Sequence, residues 1–266
     1  MSSGCARGDG AGPSSAVVGS RAVTYCIAMR LDAGLVFLSD SRTNAGVDHV
    51  NTFRKMTVIE RPGDRVLVLM TAGNLSVSQS VVNILRERLE RSDEENLCNL
   101  SNLFDAARHI GGIVREVYQR DAAALKEFGI EFNASLIFGG QIAGEAPRLF
   151  SIYAAGNFIE ASADTPYFQI GESKYGKPII DRVVTCRTSF EEAAKCALIS
   201  MDSTIRSNLS VGMPLDLLIY ESGALKVRNH VSIGPQNAYF NEIRTLWGDR
   251  LRQAFTELPD PDWAHF

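Results

Sequence analysis

The stretch "RAVTYCIAMRLDAGLVFLSDSRTNAG", residues 21–46, changes character at Thr24. Everything before it, "MSSGCARGDGAGPSSAVVGSRAV" (1–23), is rich in Gly, Ser and Ala and carries neither hydrophobic period. That composition predicts a disordered leader, a propeptide or a mis-assigned start. Its "GDGAG" is no phosphate loop, because no strand precedes those glycines. From Thr24 onward, "TYCIAMRL" and "LVFLSDS" read as two short strands separated by a "DAG" turn, so the ordered chain is expected to begin at Thr24.

The strand pattern continues outward from that hairpin. "FRKMTVIE", a "RPGD" turn and "RVLVLMTA" extend it into an antiparallel meander. Residues 75–92 then place Val77, Val81, Ile84, Leu85 and Leu89 on one helical stripe. A second helical pattern covers about 101–127, with Phe104, Ala107, Ile110, Val114, Val117 and Leu125 facing inward and Gly111–Gly112 as a candidate kink. Strands return in "FNASLIFGGQI", "RLFSIYAAG" and "YFQIG", and helical patterns follow at about 175–184 and 190–207. "PLDLLIYES", a Ser222–Gly223 turn and "ALKVRNHVS" read as a closing hairpin. Strands, two helices, strands, two helices and strands predict an α+β, four-layer αββα sandwich, with the main domain at 24–232. Residues 233–266 form an extension whose amphipathic helix carries Phe240, Ile243, Leu246, Trp247, Leu251 and Phe255, a face suited to a subunit interface.

A chain of 266 residues can bury roughly three quarters of its unfolded surface. The net charge of -4 is spread without a basic block, which argues against a nucleic-acid or membrane-surface partner and for a protein or peptide one. Five cysteines without close paired spacing suggest neither a disulfide framework nor a zinc site, and fit a reducing cytoplasm. Residues 1–22 contain no continuous apolar segment of a secretory signal, and the longest apolar run, "VLVLM" at 66–70, is far too short to span a bilayer.

The sequence has no G-x-S-x-G elbow, no H-E-x-x-H helix, no G-x-x-x-x-G-K-[ST] loop and no histidine cluster. No cofactor or metal is therefore expected, and any unfoldase would be a separate chain. What remains is Thr24 at the head of the first strand, Asp40 at the end of the second and Lys55 in the third. A threonine hydroxyl needs a base to become a nucleophile, and a free α-amine on the same residue can serve. Its reference pKa of about 8 leaves it partly neutral at physiological pH. A nearby ammonium favours the neutral amine further, and a carboxylate keeps that ammonium charged. Thr24, Lys55 and Asp40 provide those three groups. Taken singly, each has an ordinary reading: a β-forming threonine and a structural ion pair.

Thr24 opening a strand, followed by "SDSRTNAG", "FRKM" and "TAGN", strongly resembles the proteasome β-subunit branch of the N-terminal nucleophile hydrolases. The resemblance runs from Thr24 to about Arg228. Within that branch, "FRKM", "SNLSVGMPLDLLIYE" and the extended tail look most like Anbu, the bacterial ancestral β-subunit group. Carried over by position, the resemblance implies Thr24 as nucleophile and base, Lys55 as the cation that tunes its amine and Asp40 as the partner of Lys55. It implies the Gly73 amide as oxyanion donor, a contribution of about 3 kcal/mol. The supporting serines would be Ser173 in "GES" and Ser210 in "SNLS", where Ser207 stands in place of the family's aspartate.

The resemblance implies a threonine-type peptidase in a self-compartmentalising homo-oligomer, ring or spiral. Ser207 keeps open the alternative of a catalytically weak scaffold, and the chemistry also admits an amidase for a small amide. Two routes would free Thr24. It can cut after Val23 itself, or Val23 can be the true start, read as methionine and trimmed. The unpatterned leader favours the second.

Overall fold

The computed structural model describes residues 24–44, 50–91 and 93–263. The leader, 1–23, lies outside the described residues. The first hairpin forms where the sequence puts it, from β1 (Tyr25–Leu31) and β2 (Gly34–Asp40), with Cys26 opposite Ser39. Both strands are nearly continuous apolar runs because both faces are covered. Tyr25, Ile27, Met29, Val36 and Leu38 point one way, and Cys26, Ala28, Leu35 and Phe37 the other.

Two five-stranded antiparallel sheets result. The first also contains β10 (Tyr167–Gly171), β11 (Leu215–Glu221) and β12 (Asn229–Ile233), in the order β10-β1-β2-β11-β12. The second orders β5 (Met56–Arg61), β6 (Arg65–Gly73), β7 (Ala134–Ile142), β8 (Arg148–Ile152) and β9 (Phe158–Glu160) in sequence. Val66, Val68 and Met70 meet Ala28, Leu35 and Phe37 between the sheets. The alternate residues Leu67 and Leu69 pack outward on α1 (Leu75–Leu89) and α2 (Leu103–Glu127). The outer face of the first sheet packs on α3 (Lys177–Val183) and α4 (Phe190–Ser207). The molecule is an αββα sandwich with one apolar layer between the sheets and one beneath each helix pair.

Several expectations need correction. Helix α2 runs unbroken through Gly111–Gly112. Gly111 instead admits the Gly156 carbonyl, which would lie 2.2 Å from a Cβ at that position. Phe104 faces out, edge-on to Phe158 at 5.3 Å between ring centroids, because α2 begins at Leu103 and turns that position away from the sheet. The closing hairpin keeps its Ser222–Gly223 turn, closed by the Ala224 amide on the Glu221 carbonyl at 3.1 Å, but the strand expected from Ala224 begins only at Asn229. Residues 224–228 form a loop, held where the Gln141 side chain accepts from Gly223 N–H (2.7 Å) and Tyr220 O–H (2.6 Å), and where Glu60 accepts from Val227 N–H (2.9 Å). Two three-residue strands, β3 (Arg42–Asn44) and β4 (Val50–Thr52), and the short β9 carry too few residues to show a period.

The extension forms α5 (Ala238–Glu257), capped by Asn237. Of its apolar stripe only Phe240 is buried, against α4 and the first sheet, while Leu246, Leu251 and Phe255 are exposed. Arg244 fixes the helix by pairing with the buried Asp202 of α4 at 2.5 Å.

Candidate active site

Strand β2 ends in Asp40, so its carboxylate lies at the rim of the sandwich beside the start of β1. Asp40 is 0% exposed. Its Oδ1 accepts from Lys55 Nζ at 2.7 Å and from the Tyr25 amide at 3.0 Å, and its Oδ2 accepts from the Gly212 amide at 3.4 Å. Burial pushes the Asp40 carboxyl above its ordinary range, and the Lys55 ammonium and the two amides oppose that push.

Lys55 sits one residue ahead of β5 rather than within it, and is also buried. Its second acceptor is the Arg42 carbonyl at 2.6 Å. The Lys55 carbonyl in turn accepts from the Thr71 amide at 3.1 Å, which brings the end of β6 against the ion pair. Along an antiparallel strand, successive amides face opposite edges. Thr71 N–H faces Lys55 and Asn74 N–H faces Asn133 (2.8 Å), so the intervening Gly73 amide faces the Lys55 side, beyond the end of β5. Gly73 holds φ +108, and a Cβ there would lie 2.4 Å from the Asn133 carbonyl oxygen, so glycine is required by backbone approach as well.

Thr24 enters this rim on the other side of Asp40. Its carbonyl accepts from the Glu172 amide at 2.7 Å, and the Gly171 backbone is so close that a Cβ would stand 1.8 Å from that oxygen. Ser173 follows directly, half-buried, with its amide donating to the Gly171 carbonyl (3.0 Å) and its carbonyl accepting from Lys177 N–H (3.1 Å). Ser210 lies across the rim, where its amide donates to Asn208 Oδ1 at 3.0 Å. Asp40, Lys55, the β1 start and the Gly212 loop are thus joined by direct bonds, while Ser173 and Ser210 join the rim through neighbours. Ser207 is exposed at the last turn of α4.

Four residues that sequence reasoning did not single out complete the rim: Arg42, Glu172, Asn208 and Gly212. Arg42 donates to the Leu209 carbonyl at 2.9 Å and its guanidinium packs over Gly212, where a Cβ would clash at 2.4 Å. Arg42 was legible inside "SDSR", and Gly212 inside "SVGMP". The other two form a cross-loop contact that no local pattern announces. Cys26 faces the same layer but lies fully buried, and burial pushes its thiol far above the ordinary range, which removes the thiolate a nucleophile needs. Among the described residues no group of three or more His, Cys, Asp or Glu side chains converges to hold a metal. None of the described helices is long and apolar enough to cross a membrane.

A buried Lys–Asp pair anchored at the head of the first strand, on an αββα sandwich, is the geometry that the motifs imply. The family model described as proteasome subunit matches residues 22–219. The chain belongs to the proteasome subunit family. Solved structures place it in the Anbu branch. The chain is 52% identical to Anbu from Yersinia bercovieri, with a TM-score of 0.85 over 90% of this chain and 99% of that one. It is 51% identical to the chain in the helical assembly of the Anbu complex from Pseudomonas aeruginosa, with a TM-score of 0.86 over 91% and 100% of the two chains. Anbu from Hyphomicrobium sp. strain MC1 follows at 48% identity and a TM-score of 0.82, over 90% and 100%. Comparison with curated proteins finds no match.

Proposed function

We propose that this protein is a threonine-type peptidase in which Thr24, freed as the first residue, is both nucleophile and base. The observation that carries the reading is the Lys55–Asp40 pair at 2.7 Å, buried beside the β1 start and held by the amide of the residue after Thr24. A buried cation next to an α-amine lowers that amine's proton affinity, and the neutral amine can then take the Thr24 hydroxyl proton as Oγ attacks a peptide carbonyl. The tetrahedral oxyanion would be met by the Gly73 amide, and the protonated amine would return its proton to the leaving nitrogen. Supporting positions are assigned to Ser173, on the loop that holds the Thr24 carbonyl, and to Ser210, on the loop whose Gly212 amide reaches Asp40.

Assembly into a homo-oligomer that shelters the sites, in the cytoplasm, accompanies this reading. The exposed apolar residues of α5 support it, as does the helical assembly formed by the Pseudomonas aeruginosa relative. A second reading, a weakly catalytic scaffold, is favoured by one observation: Ser207 offers no carboxylate at its position. Peptide, unfolded-protein and small-amide substrates assayed beside Thr24→Ala separate the readings. Peptide hydrolysis lost in Thr24→Ala supports the peptidase, turnover of small amides alone supports an amidase, and no turnover in any panel supports the scaffold.

A further inference from the structure

Thr24 is tied to the far side of the rim by a relay that passes through one carboxylate. The Glu172 amide donates to the Thr24 carbonyl at 2.7 Å. The Glu172 side chain then reaches across to α4, where Oε2 accepts from Asn208 Nδ2 at 3.0 Å. Asn208 Oδ1 accepts from the Ser210 amide at 3.0 Å, and the Asn208 amide donates to the Thr204 carbonyl at 2.9 Å, closing the end of α4. The Glu172 side chain is only 17% exposed, whereas its ion-pair partner Lys174, at 3.3 Å, is 67% exposed. The lysine charge is therefore screened by water and the carboxylate is the less screened of the two.

We infer that Glu172, oriented by Asn208, is a positioning residue for Thr24: its amide fixes the Thr24 carbonyl and its carboxylate sets the proton affinity of the Thr24 amine. A negative charge near an amine favours the protonated form, and the Lys55 ammonium favours the neutral form. The two act against each other and leave the amine able both to take a proton from Oγ and to give one to the leaving group. Ser207, exposed and outside the relay, is not needed for this, since the carboxylate comes from the opposite loop. The inference rests on the proposed function for one premise, a free amine on Thr24.

The test reads the amine without any substrate. Protein purified from its own cell is weighed to establish the first residue, then reductively dimethylated with 13C-formaldehyde and a borohydride-type hydride donor, and the Thr24 amine is titrated by 13C NMR. Glu172→Gln keeps the oxygen that accepts from Asn208 and removes only the charge. The expected result is a fall in the amine's midpoint by about 0.5 unit, a roughly threefold change in the ratio of neutral to protonated amine. Asn208→Ala, which frees the carboxylate to swing toward Lys174, should give a smaller fall of the same sign. The pH midpoint of kcat in Glu172→Gln should move by the same amount with KM unchanged. Midpoints equal to the parent in both variants overturn the inference and leave the proposed function standing. A parent protein whose chain does not begin at Thr24 overturns both.

Discussion

Lys55 Nζ lies 2.7 Å from Asp40 Oδ1, on the same oxygen that the Tyr25 amide approaches at 3.0 Å. The ammonium and the backbone that presents Thr24 are therefore positioned by a single atom. Removing either partner has different consequences, because only one of them can neutralise itself by taking up a proton.

In Lys55→Ala the Asp40 carboxyl keeps its burial, which already pushes it upward, and loses the cation that opposes the push. Its folded-state pKa then stands well above its unfolded value of about 3.9. A group raised in the folded state stabilises fully below the unfolded pKa and loses that contribution as pH rises through the folded one. Lys55→Ala should therefore be closer to the parent in stability at pH 5 than at pH 8, where an uncompensated buried carboxylate costs about 3 kcal/mol. Urea midpoints at the two pH values check this, and hydrolysis should be lost at both. A deficit that grows toward pH 5 would contradict the assigned geometry.

Gly171→Ala tests placement rather than charge. The position holds φ +81, and the new Cβ would meet the Thr24 carbonyl oxygen at 1.8 Å. The left-handed conformation alone costs about 1–2 kcal/mol, which the sandwich can bear. The clash must be relieved by moving Thr24, and a displacement of about 1 Å costs on the order of 100-fold in rate. A folded variant by circular dichroism, with hydrolysis at least about 100-fold down, is the expected pair of results. Near-parent activity would remove Thr24 from the chemistry.

The contrast between what the sequence disclosed and what it hid has a physical basis. The two sheets were legible because β1, β2 and β6 are short, nearly continuous apolar runs bounded by turn residues. Asp40 and Lys55 were legible because each sits at a strand end, within a few residues of its motif. Gly111 was misread as a kink because its neighbour Gly156 is 45 positions away, a contact that helical periodicity cannot express. The loop at 224–228 was misread as strand because Val227 and Leu225 look like β-formers, while the groups that hold the loop, Gln141 and Glu60, lie on the other sheet. Glu172 and Asn208 were hidden for the same reason: they are 36 residues apart, one just after β10 and the other at the end of α4, and they meet only where α4 packs on the first sheet.

Asp202 offers a handle on assembly that leaves the rim intact. It is buried in α4 and receives Arg206 at 2.9 Å and Arg244 of α5 at 2.5 Å. Asp202→Ala leaves Arg244 without its anchor, and Phe240 and Ile243 must then hold the start of α5 against α4 and the first sheet. With its exposed face no longer presented rigidly, α5 should support assembly less well. Light scattering at micromolar concentration should show a shift toward the single-chain mass, while the far-ultraviolet spectrum changes little. An unchanged particle size would mean that α5 is not part of the interface.

The remaining prediction concerns the chain's first residue, on which every catalytic step above depends. Protein purified from its own cell should have an intact mass lower than the full sequence by that of Met1 to Val23. Two kinds of chemistry lead to that mass. In self-cleavage, Thr24 Oγ attacks the Val23 carbonyl, the peptide nitrogen of Thr24 leaves as its amine, and water hydrolyses the resulting ester to release the leader. In alternative initiation, Val23 is read as methionine and removed by an aminopeptidase, which tolerates the small Thr24 side chain. The unpatterned, Gly- and Ser-rich leader favours the second route, because it offers no period with which to fold or to assist assembly. Thr24→Ala separates the two. Self-cleavage would stop and leave the long form, whereas alternative initiation would still yield a chain beginning at residue 24, since alanine is as small as threonine. An active native protein that retains Met1 or Ser2 would exclude the amine as the base and require another group to take the Thr24 proton.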